Sequence, residues 1–315
     1  MEVIRLSARM PAMEPCAATI GFFDGVHRGH RYLLQQVNEA AAAAGLRSLA
    51  VTFEQHPRAV LRSDYVPQLL STPAERLLLL GETGLNAVCL LPFRRAIAVL
   101  SARDFMADVL RRRLNVVRLV IGYDNRFGRD RAEGFDDYVR YGVELGIDVV
   151  HALPLSLPGG DISSSTVRRH LTAGAVETVR EYLGRYYRVS GTVTEGRHEG
   201  RRIGFPTANI APQSVATMLP GDGVYATTTC VDGETQQLPS VTNIGTRPTY
   251  GGDGRTIETH IIGYDGSLYG SDVTLTFLRR LRSERRFDSP EALAAQLACD
   301  RDAALSLWKE AANGA

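Results

Sequence analysis

The chain has 315 residues, more than a single hydrophobic core usually supports, so its length predicts two domains. Its 36 basic and 35 acidic residues nearly cancel, and a net charge of +1 does not indicate nucleic acid or an anionic membrane as a partner. Four scattered cysteines form no zinc motif, and the first residues lack the apolar core of a signal peptide. No apolar run approaches the roughly 20 residues that cross a bilayer. We therefore expect a cytoplasmic protein with reduced cysteines.

Lysine is almost missing, since Lys309 near the end of the sequence is the only one. Walker A loops and protein kinases need a lysine that reaches the phosphates of the nucleotide. Pyridoxal and Schiff-base enzymes need a lysine that forms a covalent bond. The sequence excludes these classes, so arginine must supply any fixed positive charge at a phosphate site.

Apolar runs alternate with amphipathic helical patterns over about the first 185 residues. Strands are predicted at 17–22, 48–53, 86–92, 117–122 and 147–152, and helices near 30–44, 73–82, 101–113 and 134–146. This alternation predicts a doubly wound α/β domain with a parallel sheet, which we place at residues 1–185. Ligands of such sheets bind beyond the carboxyl ends of the strands.

From Tyr187 the pattern changes to short β-rich runs that are separated by Gly, Pro and Asn turns. These runs lie at 187–195, 223–230, 238–244, 256–263 and 272–281. Their even spacing predicts an antiparallel β-barrel, and Ser289-Pro290 predicts the start of a closing C-terminal helix over 290–311. We place this second domain at residues 186–315.

The first predicted strand ends in Asp24-Gly25, and His27 and His30 follow where a helix begins. A helix N-terminus carries unpaired N–H groups and partial positive charge, which attract phosphate. Gly25 and Gly29 allow the backbone to approach a ligand closely. Two imidazoles can donate hydrogen bonds to a phosphate on which charge develops during transfer. The stretch therefore predicts a site for nucleotide chemistry.

Three further segments follow strands of the same predicted sheet. His56-Pro57 follows the second strand, Asp124-Asn125 the fourth, and Ser163–Ser165 opens a helix after the fifth. Each has a simpler explanation, namely a strand-ending turn, a loop of turn formers and a helix cap. Because all of them follow strands of one sheet, we interpret them as ligand contacts. Arg168 lies one helical turn beyond the serines and is the predicted phosphate-binding arginine.

In the second domain, glycine turns precede Pro206-Thr207-Ala208-Asn209. Thr and Asn carry neutral oxygens that can complete the shell of a magnesium ion held mainly by phosphates and water, although an ordinary turn also explains them. Residues 243–249 are interpreted as a second such loop. Glu258 and His260 share one face of an alternating strand, so Glu258 is either a solvated carboxylate or a general base for a substrate hydroxyl.

Ten segments, in chain order, resemble the motifs of the bifunctional riboflavin kinase/FMN adenylyltransferase family, also called FAD synthetase. GFFDGVHRGH, TFEQHP, GYDNRFG and ISSSTVR resemble its adenylyltransferase motifs, and GRRIGFPTANI, GVYA, NIGTRPT, IETH, LYGSDV and LRSERRF resemble its kinase motifs. The resemblance covers nearly the whole chain. The sequence departs from the family at Phe22, where Asn is common, and at Ser165 and Thr166, where Thr and Arg are common.

The resemblance implies a role for each candidate residue. His27 and His30 match the pair that binds ATP phosphates, and Glu258 matches the catalytic glutamate of the kinase. Thr207 and Asn209 match the residues near magnesium. The predicted ATP- or phosphate-binding residues are Gly25, Gly29, His56, Asp124, Asn125, Ser164, Ser165, Arg168, Gly204, Pro206, Thr207 and Asn209.

The implied activity has two steps, each of which consumes ATP. The barrel phosphorylates riboflavin to FMN, and the α/β domain joins FMN to AMP, which gives FAD and pyrophosphate. Mg²⁺ is the implied cofactor, and riboflavin, FMN and ATP are the implied partners. The alternatives are a flavin- or nucleotide-binding regulator, a riboflavin kinase with an inactive first domain, and a cytidylyltransferase with an RNA-binding barrel. The last lacks the basic stripe with stacking aromatic residues that single strands favour. The sequence does not indicate the oligomeric state.

Overall fold

The computed structural model describes residues 1–7, 13–62, 64–123, 125–129, 131–157, 160–196, 200, 203–246 and 254–313. The chain forms two compact units, Met1–Ser163 and Ser164–Ala315. The second unit therefore begins with two helices that fall within the predicted first domain, residues 1–185. The boundary near residue 185 stays a prediction about which residues each activity needs.

The first unit contains a six-stranded sheet in the order β1-β4-β3-β2-β5-β6, in which all neighbours are parallel. The strands are β1 (Glu2–Arg5), β2 (Cys16–Ile20), β3 (Arg47–Phe53), β4 (Ala87–Leu91), β5 (Val116–Ile121) and β6 (Asp148–His151). Strands β2 and β4 are buried along their whole length, as expected for a sheet covered on both faces. The predicted parallel α/β sheet is thus confirmed. Strand β1 is missing from the prediction because it is a short, mostly exposed edge strand.

Helices connect the strands from β2 onward, and the order of the strands reverses between β2 and β5, which is where parallel sheets usually bind ligands. The helices are α1 (Arg28–Ala43), α2 (Pro57–Leu61), α3 (Pro73–Gly81), α4 (Arg95–Ala98), α5 (Ala102–Phe105) and α6 (Phe135–Leu145). Helix α5 continues as a π-helical segment over Met106–Arg113. A short hairpin, β7 (Ser156–Leu157) and β8 (Gly160–Asp161), follows the sheet.

The second unit contains a closed, antiparallel six-stranded barrel in the order β10-β13-β12-β11-β14-β9. The strands are β9 (Tyr187–Thr194), β10 (Ala208–Ile210), β11 (Gly223–Val231), β12 (Leu238–Thr246), β13 (Arg255–Ile261) and β14 (Asp272–Arg282). The predicted barrel is confirmed, although β10 is missing from the prediction because it has only 3 residues. Buried hydroxyl groups form a hydrogen-bonded row inside the barrel, from Thr229 through Ser240, Thr227 and Thr242 to Thr259.

Three helices complete the second unit. Helices α7 (Ser164–Thr172) and α8 (Val176–Leu183) precede it, and α8 contacts β9 and β14. Helix α9 (Pro290–Asn313) confirms the predicted closing helix, and the Ala292 N–H donates to the Ser289 hydroxyl at its start at 3.2 Å. Its Ala304 and Trp308 pack with apolar residues of β11 and β12. In the described residues no helix is long and apolar enough to span a bilayer.

Two candidate active sites

The loop after β2 makes a sharp turn before α1 begins. Phe23 and Val26 adopt left-handed backbone angles, with φ values of 54° and 38°, and Gly25 lies between them with φ of 73°. Only glycine adopts such an angle without strain, which explains Gly25. The turn brings the start of α1 to the carboxyl edge of the sheet. The predicted strand–turn–helix is therefore present.

His27 and His30 form a stacked pair at the start of α1. Their ring centroids lie 3.5 Å apart with an interplanar angle of 17°. Nδ1 of His27 accepts a hydrogen bond from the backbone N–H of His30 at 3.2 Å, so His27 caps the helix and its ring proton is on Nε2. Nδ1 of His30 is buried and has no hydrogen-bond partner among the described residues.

Burial lowers the pKa of His30 well below its usual value of 6.5, and the neighbouring His27 lowers it further. His30 is therefore neutral at pH 7 and can donate one ring N–H to a ligand. Gly29 lies beside the pair, because a Cβ atom there would be 3.2 Å from Nδ1 of His27 and 3.4 Å from the carbonyl oxygen of Ile162. The structure thus brings Gly25, Gly29 and both histidines together.

Asp24 supports this loop through its carboxylate, although it is not among the predicted site residues. Its buried carboxylate accepts the N–H groups of Leu70 at 3.0 Å and Ser71 at 3.2 Å. The Ser71 hydroxyl in turn accepts the N–H of Gly25 at 3.0 Å. Because these partners lie 46 residues or more away, no local pattern reveals the role of Asp24.

The side chains of Arg76, Phe22 and His56 pack against one another next to the histidine loop. The guanidinium of buried Arg76 lies 4.3 Å from the centroid of the Phe22 ring, whose other neighbour is His56 at 4.7 Å in an edge-on contact. Arg76 also donates to the carbonyl of Phe53 at 2.6 Å. Burial lowers the pKa of Arg76, and Asp24 opposes this shift. Phe22, which departs from the family pattern, therefore packs between the guanidinium of Arg76 and the ring of His56.

His56 and Asn125 both have structural partners. Nδ1 of His56 accepts the N–H of Arg58 at 3.2 Å and so caps α2. The side-chain amide of Asn125 donates to the carbonyl of Ile20, which attaches the loop after β5 to the end of β2. Asp124 lies outside the described residues. Contacts of His56, Asp124 and Asn125 with a ligand stay predictions.

The serine motif opens helix α7 as predicted, within the second compact unit. Ser164 is half-buried and Ser165 is exposed. Arg168, the predicted phosphate-binding residue, is half-buried, whereas its neighbour Arg169 is exposed. The phosphate-binding roles of the two serines and of Arg168 stay predictions.

In the barrel, three polar side chains lie side by side on adjacent strands. Glu258 of β13 is directly opposite Asn209 of β10 on one side and Asn243 of β12 on the other. Residues opposite each other in antiparallel strands share a face, with Cβ atoms about 4.5–5.5 Å apart. All three residues are half-buried, whereas Ile257 and Thr259, on the opposite face of β13, are buried. The row therefore lies on the outer face of the barrel.

The interpretation of residues 243–249 as a loop is wrong for the described part. Strand β12 continues through Thr246, and residues 247–249 lie outside the described residues. Asn243 is therefore a strand residue, and its side-chain amide donates to Glu284 at 2.9 Å. The alternation of β12 is masked in the sequence by Asn243 and Gly245, which are residues typical of turns. Asn243 lies opposite Glu258 because of the pairing register of β12 and β13.

The Pro-Thr-Ala-Asn segment approaches this row along β10. Gly204 precedes it with φ of 82°, Pro206 is exposed, and Thr207 and Asn209 are half-buried. The side-chain amide of Asn209 lies so close to Gly196 that a Cβ atom at Gly196 would collide with it. Gly196 is not among the predicted site residues, since nothing near it in the sequence indicates a contact with Asn209.

The donor set in the barrel fits a magnesium ion that is held mainly by phosphates. Among the described residues, no group of three His, Cys, Asp or Glu side chains could hold a metal by itself. Asn209 and Glu258 are in register, and Thr207 comes two residues before Asn209. Magnesium prefers such oxygen ligands and retains several waters.

Two family models match successive parts of this chain. The model described as FAD synthetase matches residues 9–166, and the model described as riboflavin kinase matches residues 183–308.

Relatives and a solved structure match nearly the whole chain. The chain is 37% identical to the bifunctional riboflavin kinase/FMN adenylyltransferase of Pseudomonas fluorescens, and the match covers 99% of this chain and 100% of that protein. It is 38% identical to the Escherichia coli K12 protein of the same name, over 91% of each. A crystal structure described as a macrolide-efflux protein from Streptococcus pneumoniae superposes with a TM-score of 0.85 at 29% identity, and the match covers 96% of this chain and 98% of that one.

Proposed function

Because the chain belongs to the bifunctional riboflavin kinase/FMN adenylyltransferase family, we propose that it makes FAD from riboflavin in two steps that each use ATP. The geometric observation that carries the proposal is the row of Asn209, Glu258 and Asn243 in the barrel, which aligns a carboxylate with two amides. We propose that residues 186–315 carry the kinase and residues 1–185 the adenylyltransferase. We also propose that the enzyme acts in the cytoplasm, where ATP is available.

In the kinase step, Glu258 accepts the proton of the ribityl 5′-hydroxyl of riboflavin. The hydroxyl oxygen forms a bond to the γ-phosphorus of ATP, the bond from that phosphorus to the β,γ-bridging oxygen breaks, and ADP leaves. Thr207 and Asn209 would hold magnesium, which supplies charge neutralisation to the phosphates when it is bound. Gly204 and Pro206 shape the turn that presents Thr207. Catalysis consists of positioning and electrostatic stabilisation, so no Walker lysine is needed.

In the adenylyl transfer step, a phosphate oxygen of FMN attacks the α-phosphorus of ATP, and pyrophosphate leaves. The FMN phosphate is already ionised, so no general base is required. His27 and neutral His30 donate ring N–H groups to oxygens on which negative charge develops. The N–H groups at the start of α1 assist them, and Gly25 and Gly29 leave space for the phosphates.

Six further residues are proposed to bind ATP in the adenylyltransferase step. We assign Ser164, Ser165 and Arg168 to phosphate binding, together with His56, Asp124 and Asn125 as further contacts of ATP. Arginine takes the place that lysine holds in other nucleotide enzymes, since its planar guanidinium binds phosphate through two hydrogen bonds.

The test incubates the full-length protein with riboflavin, ATP and Mg²⁺ and separates FMN and FAD by chromatography. We expect both products, with FMN formed first, and a control with EDTA should form neither. FMN without FAD would favour a kinase with an inactive adenylyltransferase. If neither product forms while the protein still binds flavin, the regulator hypothesis would replace ours.

A further inference from the structure

We propose that His260 is a positioning residue of the kinase site, a role that rests on the proposed function and extends it. The ring of His260 holds the Pro-Thr-Ala-Asn segment against strand β13. It thereby sets the position of Thr207 relative to Glu258.

His260 and Glu258 lie on the same face of β13, two residues apart, and both are half-buried. Nδ1 of His260 is 2.8 Å from the carbonyl oxygen of Pro206, the residue immediately before Thr207. The imidazole ring also makes an edge-on contact with Phe205, with ring centroids 5.3 Å apart. One side chain therefore contacts two successive residues of the segment that leads into the candidate magnesium site.

The chemistry of this contact defines the tautomer of His260. A carbonyl oxygen can only accept a hydrogen bond, so Nδ1 of His260 must carry a proton. Two of the candidate histidines of the first unit use the same atom in the opposite way, because Nδ1 of His27 and of His56 accepts a backbone N–H.

The Pro-Thr-Ala-Asn segment needs such an anchor because its first two residues, Pro206 and Thr207, are not paired with strand β13. Strand β10 pairs with β13 from Ala208 onward, where Ala208 is opposite Thr259. Pro206 has no N–H group to contribute to the ladder. On the other side, the N–H of Phe205 donates to the carbonyl of Gly200 at 2.8 Å, which closes the preceding turn on itself. The His260 contact thus links that turn to the strand that carries Glu258.

We therefore expect that losing the hydrogen bond changes ATP binding more than riboflavin binding, because Thr207 is assigned to the phosphates and magnesium. The matched pair of variants is His260→Leu and His260→Asn, in the full-length protein. Leucine and asparagine have similar shapes, but only asparagine places an N–H donor near the position of Nδ1. His260→Leu should lower kcat/KM for MgATP about ten-fold or more, with little change in the KM for riboflavin. His260→Asn should stay within about three-fold of the unchanged protein.

Two controls in the same samples separate positioning from damage to the fold. FAD formation from supplied FMN should be unchanged in both variants, because the proposed adenylyltransferase residues lie elsewhere in the chain. Trp308 is the only tryptophan and packs with the barrel, so its fluorescence reports whether helix α9 and the barrel remain folded. A variant with native Trp308 emission has kept this packing.

The results distinguish a failure of the proposed kinase function from a failure of the positioning role of His260. If the unchanged protein makes no FMN, the proposed function fails. If it makes FMN and His260→Leu retains full kcat/KM for MgATP, the positioning role is refuted. An equal loss in His260→Asn and His260→Leu, with a pH profile of the kinase that loses an inflection, would instead indicate that His260 transfers a proton. Rescue by asparagine with an unchanged pH profile supports the inference.

Discussion

The parallel sheet and the barrel assemble their candidate sites in different ways. In the sheet, His27, His56 and Asn125 come from three loops, each of which follows a different strand, and they share an edge because parallel strands end on the same side. In the barrel, Asn209, Glu258 and Asn243 lie within strands and are aligned by hydrogen-bond register. The first site depends on turns and helix caps, supported by the contacts of Asp24 with Leu70 and Ser71, whereas the second depends on the pairing register of its strands.

This difference predicts that the two sites fail for different reasons. A slip of one residue in β13 would turn Glu258 to the barrel interior, where buried hydroxyl groups such as Thr259 now lie. The histidine loop has no such dependence on register, but it depends on the backbone angles of Phe23, Gly25 and Val26. Each site should therefore be removable while the other remains active.

The largest effect is expected for Glu258→Gln. The glutamine keeps the shape of the side chain and its place in the row but cannot accept the hydroxyl proton. Kinase kcat should fall by roughly 10²–10⁴-fold. FAD formation from supplied FMN should remain unchanged, as measured by chromatography on the same sample. Loss of both activities together would contradict the separation of the two sites.

A loss of roughly 10²–10³-fold is expected in the adenylyltransferase when His27 is replaced. His27 both caps α1 and is assigned to the migrating phosphate, and a pair of variants separates these roles. His27→Ala removes the cap and the donor, so it should also lower the free energy of unfolding by about 1 kcal/mol. His27→Asn keeps a good capping residue and loses only the imidazole.

The measurements are FAD formation from FMN and urea unfolding followed by circular dichroism. Both His27 variants should lose activity, whereas only His27→Ala should lose stability, and riboflavin phosphorylation should be normal in both. Full activity of His27→Asn would assign His27 to the helix cap alone.

The sequence predicts most strands of both units, because those of the sheet are largely apolar runs and those of the barrel are β-rich runs bounded by turn residues. Strands β1, β7, β8 and β10 are not predicted, because none of them has more than four residues. The histidine loop and Glu258 are predicted from local motifs. Asp24, Arg76 and Gly196 are not, because their roles arise from contacts with residues far away in the chain.

Gly196→Ala tests the part of the barrel site that only the structure reveals. The added methyl group would collide with the side-chain amide of Asn209, which must then shift from its place opposite Glu258. We expect kcat/KM for MgATP to fall about ten-fold, since small displacements at a reacting site have effects of this size. Gly134→Ala is the matched control, because a Cβ atom there meets nothing within 4 Å. Unchanged kinetics of Gly196→Ala would refute the packing role of Gly196.

The smallest effect is a pH dependence of stability that is confined to the first unit. Because the pKa of His30 is lowered in the folded protein, the unfolded chain gains a proton below about pH 6.5 that the folded chain does not. The free energy of unfolding should therefore fall as the pH drops below that value, by at most about 1.4 kcal/mol per pH unit from this group. Above pH 7 the contribution of His30 is fully present.

His30→Asn removes this proton uptake, so its unfolding free energy should change less between about pH 7.5 and about pH 5.5 than that of the unchanged protein. Circular dichroism follows both units, whereas the fluorescence of Trp308 follows only the second. The difference between the two proteins should be visible in circular dichroism and missing from the fluorescence transition. Parallel pH curves for the two proteins would mean that His30 titrates in the folded chain much as it does in the unfolded one, and that it reaches the ligand as a cation.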